Sequence, residues 1–214
     1  MSKAPKTDWL ETEAELRSQY ACIVGLDEAG CGCLAGPVVA GAVFLPEGIE
    51  LPGLNDSKKL SALQREKIFA HIQSLGIPHA VGVASPEEID AINIRQATYL
   101  AMQRAVENLS CIADYLLVDC WTLPFWSDNQ RGIVKGDAKV RSIAAASVVA
   151  KVTRDALMRD ADAIYPGYAF AQHKGYPTSL HYRSLEALGV SPLHRRSFIH
   201  GQQLELGSDL GSHA

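Results

Sequence analysis

Apolar residues come in short blocks separated by polar, glycine- and proline-rich connections, the rhythm of alternating strands and helices. Ala21 to Leu26 reads as a buried strand that stops at two adjacent acids, Asp27 and Glu28. After the turn Leu34-Ala35-Gly36-Pro37, Val38 to Leu45 is a second strand. The short connection favours an antiparallel pair. Pro46 to Lys59 is a loop, and Ser61 N-caps a helix through about Gln73. His79 to Ala84 is a third strand. Ser85-Pro86-Glu87-Glu88 opens a helix with proline at its first position and acids in its first turn. A longer helix runs from about Ile94 to Leu109. Tyr115 to Asp119 is a fourth strand, Gly132 to Val134 a short fifth, and Ser142 to Ala163 a long helix. Helical pieces broken by Gly175, Pro177, Gly189 and Pro192 follow. This order predicts an α/β fold, a mixed five-stranded sheet flanked by helices, with a C-terminal helical segment.

A chain of 214 residues, 47% of them hydrophobic, can bury a full core. The expected division is a polar lead-in over 1–18, one catalytic domain over 19–165, the helical segment over 166–205 and a frayed tail over 206–214. No apolar run approaches the roughly 20 residues that span a bilayer. Met1 to Glu15 lacks the apolar region of a secretory signal. A cytoplasmic monomer with no membrane contact is expected. The five cysteines are odd in number and form no C-x-x-C pair. Cys31-x-Cys33 is too tight for a usual zinc knuckle, so reduced thiols are expected.

The net charge of −4 does not suggest a nucleic-acid binder. Local charge does. Residues 131–159 hold Arg131, Lys135, Lys139, Arg141, Lys151, Arg154 and Arg159 against only Asp137 and Asp155. Such a run is either a solvated helix face or a basic zone beside an acidic site.

The candidate chemistry lies in four carboxylates from separated segments: Asp27, Glu28, Asp119 after Leu116-Leu117-Val118, and Asp137 after Ile133-Val134-Lys135-Gly136. Each alone can be a turn cap. An adjacent pair ending a buried strand is different, because neighbouring negative charges raise each other's pKa unless a cation or proton joins them. Sites in open α/β sheets form beyond strand ends. Carboxylate oxygens there suit Mg²⁺ or Mn²⁺, and two such ions about 4 Å apart serve phosphodiester cleavage.

Gly25-Leu26-Asp27-Glu28-Ala29-Gly30, Leu34-Ala35-Gly36-Pro37-Val38-Val39, Asn55-Asp56-Ser57-Lys58-Lys59-Leu60, Val118-Asp119, Lys135-Gly136-Asp137 and Ala144 to Asp155 occur in that order. His173-Lys174-Gly175-Tyr176-Pro177-Thr178 and Pro192 to Phe198 follow. Together these blocks resemble the bacterial ribonuclease HII family over residues 22–198. The resemblance implies an RNase H-like fold. It implies cleavage of RNA in RNA–DNA hybrids and incision 5′ of a single ribonucleotide embedded in duplex DNA, leaving 3′-hydroxyl and 5′-phosphate ends. It also implies that Asp27, Glu28, Asp119 and Asp137 hold two Mn²⁺ or Mg²⁺ ions and that Tyr176 stacks near the ribonucleotide. A hybrid-binding protein with impaired catalysis, and another RNase H-like nuclease of ribonuclease HIII or resolvase type, are the alternatives.

One departure bears on substrate reading. The family usually has Gly-Arg-Gly where this chain has Gly30-Cys31-Gly32. Both glycines still let the backbone approach a sugar, and the 2′-hydroxyl is what separates RNA from DNA. The arginine's forked charge is lost, so weaker phosphate anchoring is expected. Cys120 replaces a usual glycine after Val118-Asp119 and is expected to crowd the site slightly. Lys58 is either solvated or phosphate-binding. Ser147, Lys151 and Asp155 share one helix face and are expected to support the site or touch a backbone phosphate. Tyr176, between Gly175 and Pro177, either closes a small core or displays its ring. Arg195, within His194-Arg195-Arg196, either binds phosphate or coats the surface. His173 is a candidate for assisting product or metal release, whereas Trp121 and Trp126 read as packing.

Overall fold

A computed structural model describes Trp9, residues 12–127 and residues 129–199. The expected tail over 206–214 and most of the lead-in lie outside the described residues. Five strands form one mixed sheet: β1 (Ile23–Ala29), β2 (Val38–Phe44), β3 (His79–Ala84), β4 (Tyr115–Asp119) and β5 (Gln130–Ile133), in the order β3-β2-β1-β4-β5. The β1–β2 and β2–β3 pairs are antiparallel, and β1–β4 and β4–β5 are parallel. The helices are α1 (Thr12–Leu16), α2 (Ala62–Ser74), α3 (Pro86–Glu107), α4 (Arg141–Ile164), α5 (Phe170–His173) and α6 (Ser179–Leu188).

The sheet is apolar on both faces. On one, Val24, Leu26, Val38, Ala40, Leu116 and Val118 pack against α3 residues such as Ala97, Ala101 and Met102. On the other, α4 covers β1 and β2, and α2 packs outside α4. Small residues set that second contact. A Cβ at Gly25 would lie 2.2 Å from the Ser142 carbonyl carbon, and one at Gly41 would lie 2.3 Å from the Ala146 oxygen. Only glycine lets helix backbone meet strand backbone at that range. The buried Glu13 of α1 accepts from Ser142 N at 3.3 Å, placing a carboxylate at the α4 N-terminus.

Several boundaries differ from the sequence reading. β1 does not stop before the acids: Asp27 pairs in register with Gly41, and Glu28 with Ala40. Successive strand residues face opposite ways, so Asp27 lies on the α4 side and Glu28 on the α3 side. The fifth strand covers Gln130–Ile133, leaving Val134 outside and exposed. Within α3 the two helices expected around residues 86 and 94 are both present, and they meet at the non-helical Asn93 (φ 67, ψ 163), whose side chain accepts from Gln96 N and caps the second.

The C-terminal segment is stitched into the β1–β2 connection. Ala35 bridges His194, Leu34 N donates to Gly175 O at 2.8 Å, and Arg195 N donates to Leu34 O at 2.9 Å.

Candidate active site

β1 and β4 run parallel with Leu26 opposite Val118, so their next residues, Asp27 and Asp119, lie side by side at the carboxyl end of the pair. This is where open α/β sheets place their sites. Asp27, Glu28 and Asp119 line one cavity of about 220 Å³ with Ala29, Gly30, Ser57, Lys58, Arg65, Ser147, Lys151 and Tyr176. Asp119 is tethered by Gly136 N, which donates to its Oδ1 at 2.6 Å. The turn that presents this amide needs a left-handed Lys135 (φ 57) and continues into Asp137. Asp137 is buried, and Lys58 Nζ donates to its Oδ2 at 2.9 Å from a side chain 78% exposed. Ser57 and Ser147 hydroxyls meet at 2.7 Å beside Asp27.

Burial is the largest cause that raises the Asp27 carboxyl well above its ordinary range, followed by the charges of Glu28 and Asp119. Burial and Asp119 raise Glu28, and burial and Asp137 raise Asp119. Glu28 Oε2 is buried with no hydrogen-bond partner among the described residues. Among those residues, no three His, Cys, Asp or Glu side chains stand close enough to form a ready metal cage. Lys58 engages Asp137, and the two β1 acids leave the strand on opposite faces. The donor set nevertheless fits a hard divalent cation, because mutually repelling carboxylates and an orphaned carboxylate oxygen are what such an ion satisfies.

Around the acids, Lys151 Nζ donates to Asp155 Oδ1 at 2.7 Å and lies 5.1 Å from the Tyr176 ring centroid. Arg65 reaches Asp155 at 3.7 Å. Asp155 therefore orients two cations toward the cavity and is not turned into the acid cluster. Tyr176 is 37% exposed, displayed and not closing a core. Its turn is tied at every residue. Gly175 N donates to His173 Nδ1, Tyr176 N to His173 O, and Arg154 Nη1 to Lys174 O.

Three sequence expectations change here. Arg195 is neither surface nor phosphate ligand: it is 0% exposed, and its fork donates to Gly30 O (2.7 Å), Cys31 O (2.9 Å) and Gly36 O (2.9 Å). Buried Arg154 likewise spends its donors on the Ala35, Pro37 and Lys174 carbonyls, so it leaves the basic zone for the interior. His173 is buried with both ring nitrogens on main-chain groups, which removes it as a product-release group.

At the loop itself, Arg195 turns the Gly30 and Cys31 carbonyls inward. The amides of Cys31 and Gly32 donate to nothing among the described residues. The Cys31 thiol lies 3.5 Å from Glu28 Oε1 and 3.4 Å from Thr98 Oγ1. Cys120 is exposed and left-handed (φ 67), a conformation that favours glycine, and it does not line the cavity. Trp121 is not simple packing, since 42% of it is exposed. Sequence reasoning missed Ser57 and Arg65; the available signal was the polar Asn55-to-Leu60 loop running into α2.

A family profile described as Ribonuclease HII matches residues 24–201. The ribonuclease HII of Desulfitobacterium hafniense (strain Y51) is 55% identical over 184 residues, spanning 86% of this chain and 71% of that protein. The chain belongs to the ribonuclease HII family. It is accordingly a hydrolase and a nuclease whose substrate is nucleic acid. The crystal structure of ribonuclease H2 from Pyrococcus horikoshii OT3 superposes with a TM-score of 0.69 at 25% identity, covering 88% of this chain and 97% of that one. Bst-RNase HIII in complex with Mn²⁺ shares the fold at a TM-score of 0.61 and 16% identity, covering 89% of this chain and 70% of that one.

Proposed function

We propose that this enzyme cleaves the RNA strand of RNA–DNA hybrids and nicks duplex DNA 5′ of a single embedded ribonucleotide, leaving 3′-hydroxyl and 5′-phosphate ends. The observation that carries the reading is a single cavity joining three carboxylates to Lys58, Lys151 and the Tyr176 ring. Asp27, Glu28, Asp119 and Asp137 would hold two Mg²⁺ or Mn²⁺ ions, manganese being the ion bound in the Bst-RNase HIII crystal. Such ions, when bound, activate water and neutralise charge on the phosphate.

The remaining work falls to the chain's own groups. Lys58 and Lys151 meet phosphate oxygens with charge-assisted hydrogen bonds. The free amides of Cys31 and Gly32 donate to the ribose 2′-oxygen or its phosphate, and Gly32, where a Cβ would meet nothing within 4 Å, leaves room for that approach. Tyr176 stacks on the neighbouring sugar or base. Ser147 steadies Asp27, and Asp155 keeps Lys151 aimed. Arg195 acts only through the loop it holds. A pure hybrid binder has no use for buried acids that raise one another's pKa. This reading keeps the protein a cytoplasmic monomer, which sedimentation of the free enzyme tests for oligomeric state.

The deciding assay is nicking of an end-labelled duplex with one ribonucleotide, beside an all-DNA duplex and a long hybrid. We expect one cut 5′ of the ribonucleotide with Mg²⁺ or Mn²⁺, none with chelator, and none from Asp119→Asn. Cutting of the long hybrid alone would move the enzyme to the ribonuclease HIII type, and full activity of Asp119→Asn would refute the site.

A further inference from the structure

Glu28 borders two cavities. One is the acid pocket. The other, of about 260 Å³, is lined by Cys31, Ile94, Arg95, Thr98, Tyr99 and Trp121. The alternation of β1 explains the division, because Glu28 faces the α3 side, away from Asp27. The second cavity has its own chemistry: a thiol, a hydroxyl, aromatic walls and one guanidinium.

That guanidinium is unusual in its setting. Arg95 Cζ lies 4.7 Å from the Trp121 ring centroid, and both side chains are exposed. Among the described residues Arg95 makes no salt bridge and no side-chain hydrogen bond; the arginine ion pairs there belong to Arg65, Arg104, Arg141 and Arg159. Stacking fixes the plane of the fork and leaves its N–H edge open. The platform beneath is equally fixed. Trp121 N donates to Asp119 O at 2.8 Å, and Trp121 O lies 2.7 Å from where a Gly132 Cβ would stand. The main chain that carries this aromatic face is thus fixed two residues from a site carboxylate, and the face carries a flat cation with five unspent donors.

We propose that Arg95, laid on Trp121, is a phosphate-binding subsite that grips the substrate strand beside the scissile link, on the Glu28 side of the acids. The ligand class is a backbone phosphodiester. Position 31 offers this cavity a thiol, so Arg95 is the one cation among its lining residues. The subsite rests on the reading that nucleic acid lies across the acid pocket, and its test separates the two.

Arg95→Ala and Arg95→Gln are compared with the native enzyme on the single-ribonucleotide duplex. Losing one charge-assisted phosphate contact should raise KM about tenfold and leave kcat within about twofold. Binding is then followed by fluorescence anisotropy in an Asp119→Asn background, which holds substrate without cutting. There the slope of log affinity against log salt should fall by about 0.9 when Arg95 is neutralised. Trp121→Ala should move KM the same way by a smaller factor, and the Arg95→Ala/Trp121→Ala pair should be less than additive, because the ring acts through the guanidinium. Arg95→Gln keeps a planar head on the indole, so it carries the test if Trp121→Ala lowers stability. Unchanged KM and salt slope in both Arg95 variants would overturn the subsite while leaving the nuclease reading intact. Failure of the native enzyme to cut any ribonucleotide-containing duplex would overturn the nuclease reading itself.

Discussion

Arg195 Nη2 donates to the carbonyl oxygen of Gly30 across 2.7 Å, joining residues 165 positions apart in the chain. Burial pulls the Arg195 pKa down to about 10, so it stays charged at neutral pH. Arg195→Met would leave the Cys31 and Gly36 carbonyls without a donor, at about 1–3 kcal/mol each, while Gly30 O would keep Cys33 N at 3.3 Å. We expect a loss of at least about 2 kcal/mol in urea unfolding. Arg195→Lys should recover only part, since an ammonium lacks the fork. A loss under about 1 kcal/mol would mean the loop holds itself.

Asp27→Asn should abolish nicking and yet stabilise the metal-free protein. The Asp27 carboxyl is raised by burial, Glu28 and Asp119, so its ionisation weakens the fold as pH rises past the unfolded value. An asparagine oxygen can still accept from Glu28 N, which now lies 2.7 Å from Asp27 Oδ1. A gain of at least about 1 kcal/mol is expected at pH 7.5 in chelator, read by thermal unfolding. A lower melting temperature would contradict the repulsion argument.

The histidines under Tyr176 predict a pH window. His181 Nδ1 donates to Tyr176 O, His194 Nε2 donates to His181 Nε2, and Ser191 N and Oγ donate to His194 Nδ1. Each ring is therefore neutral with a fixed tautomer. Burial lowers His181 to about 4 and His194 to about 3. Their stability is complete above an unfolded pKa of about 6.5 and is lost as pH falls toward those values, because only the unfolded chain takes up the protons. The raised site acids push the opposite way. The measurement is therefore a difference: His194→Gln should flatten the fall in unfolding free energy between pH 6.5 and 4 relative to the native protein. Parallel curves would exclude the network as the cause.

Tyr176→Phe and Tyr176→Ala separate ring from hydroxyl. Stacking on a base is worth about 1–3 kcal/mol, so the alanine variant should lose roughly tenfold to a hundredfold in kcat/KM. The phenylalanine variant should stay close to native. Equal losses in both would assign the work to the phenol oxygen.

Strand and helix order were readable because apolar period and capping residues are local signals; Ser61 caps α2 as expected, and the helix opened at Ser85-Pro86 begins there. Asp27, Glu28 and Asp119 were readable as acids ending buried runs, and they line one cavity; Asp137, read with them, lies outside that lining and is tied to Lys58. The division of Asp27 and Glu28 between the two sheet faces was not readable, because it depends on β1 continuing past the apolar run in register with β2. Arg154 and Arg195 look like surface charge in one dimension. What buries them is a ring of main-chain carbonyls from Gly30 to Pro37 and from Lys174, which exists only after folding. Arg95 and Trp121 meet across a helix and a strand end, and no periodicity records that.

Because α4 rests on the bare peptide units of Gly25 and Gly41, the spacing from Asp27 to Ser147 and Lys151 is gauged by main chain against main chain. Rotamer changes elsewhere cannot stretch it. The reach of the helix's lysine toward the acids is thereby calibrated by backbone contact.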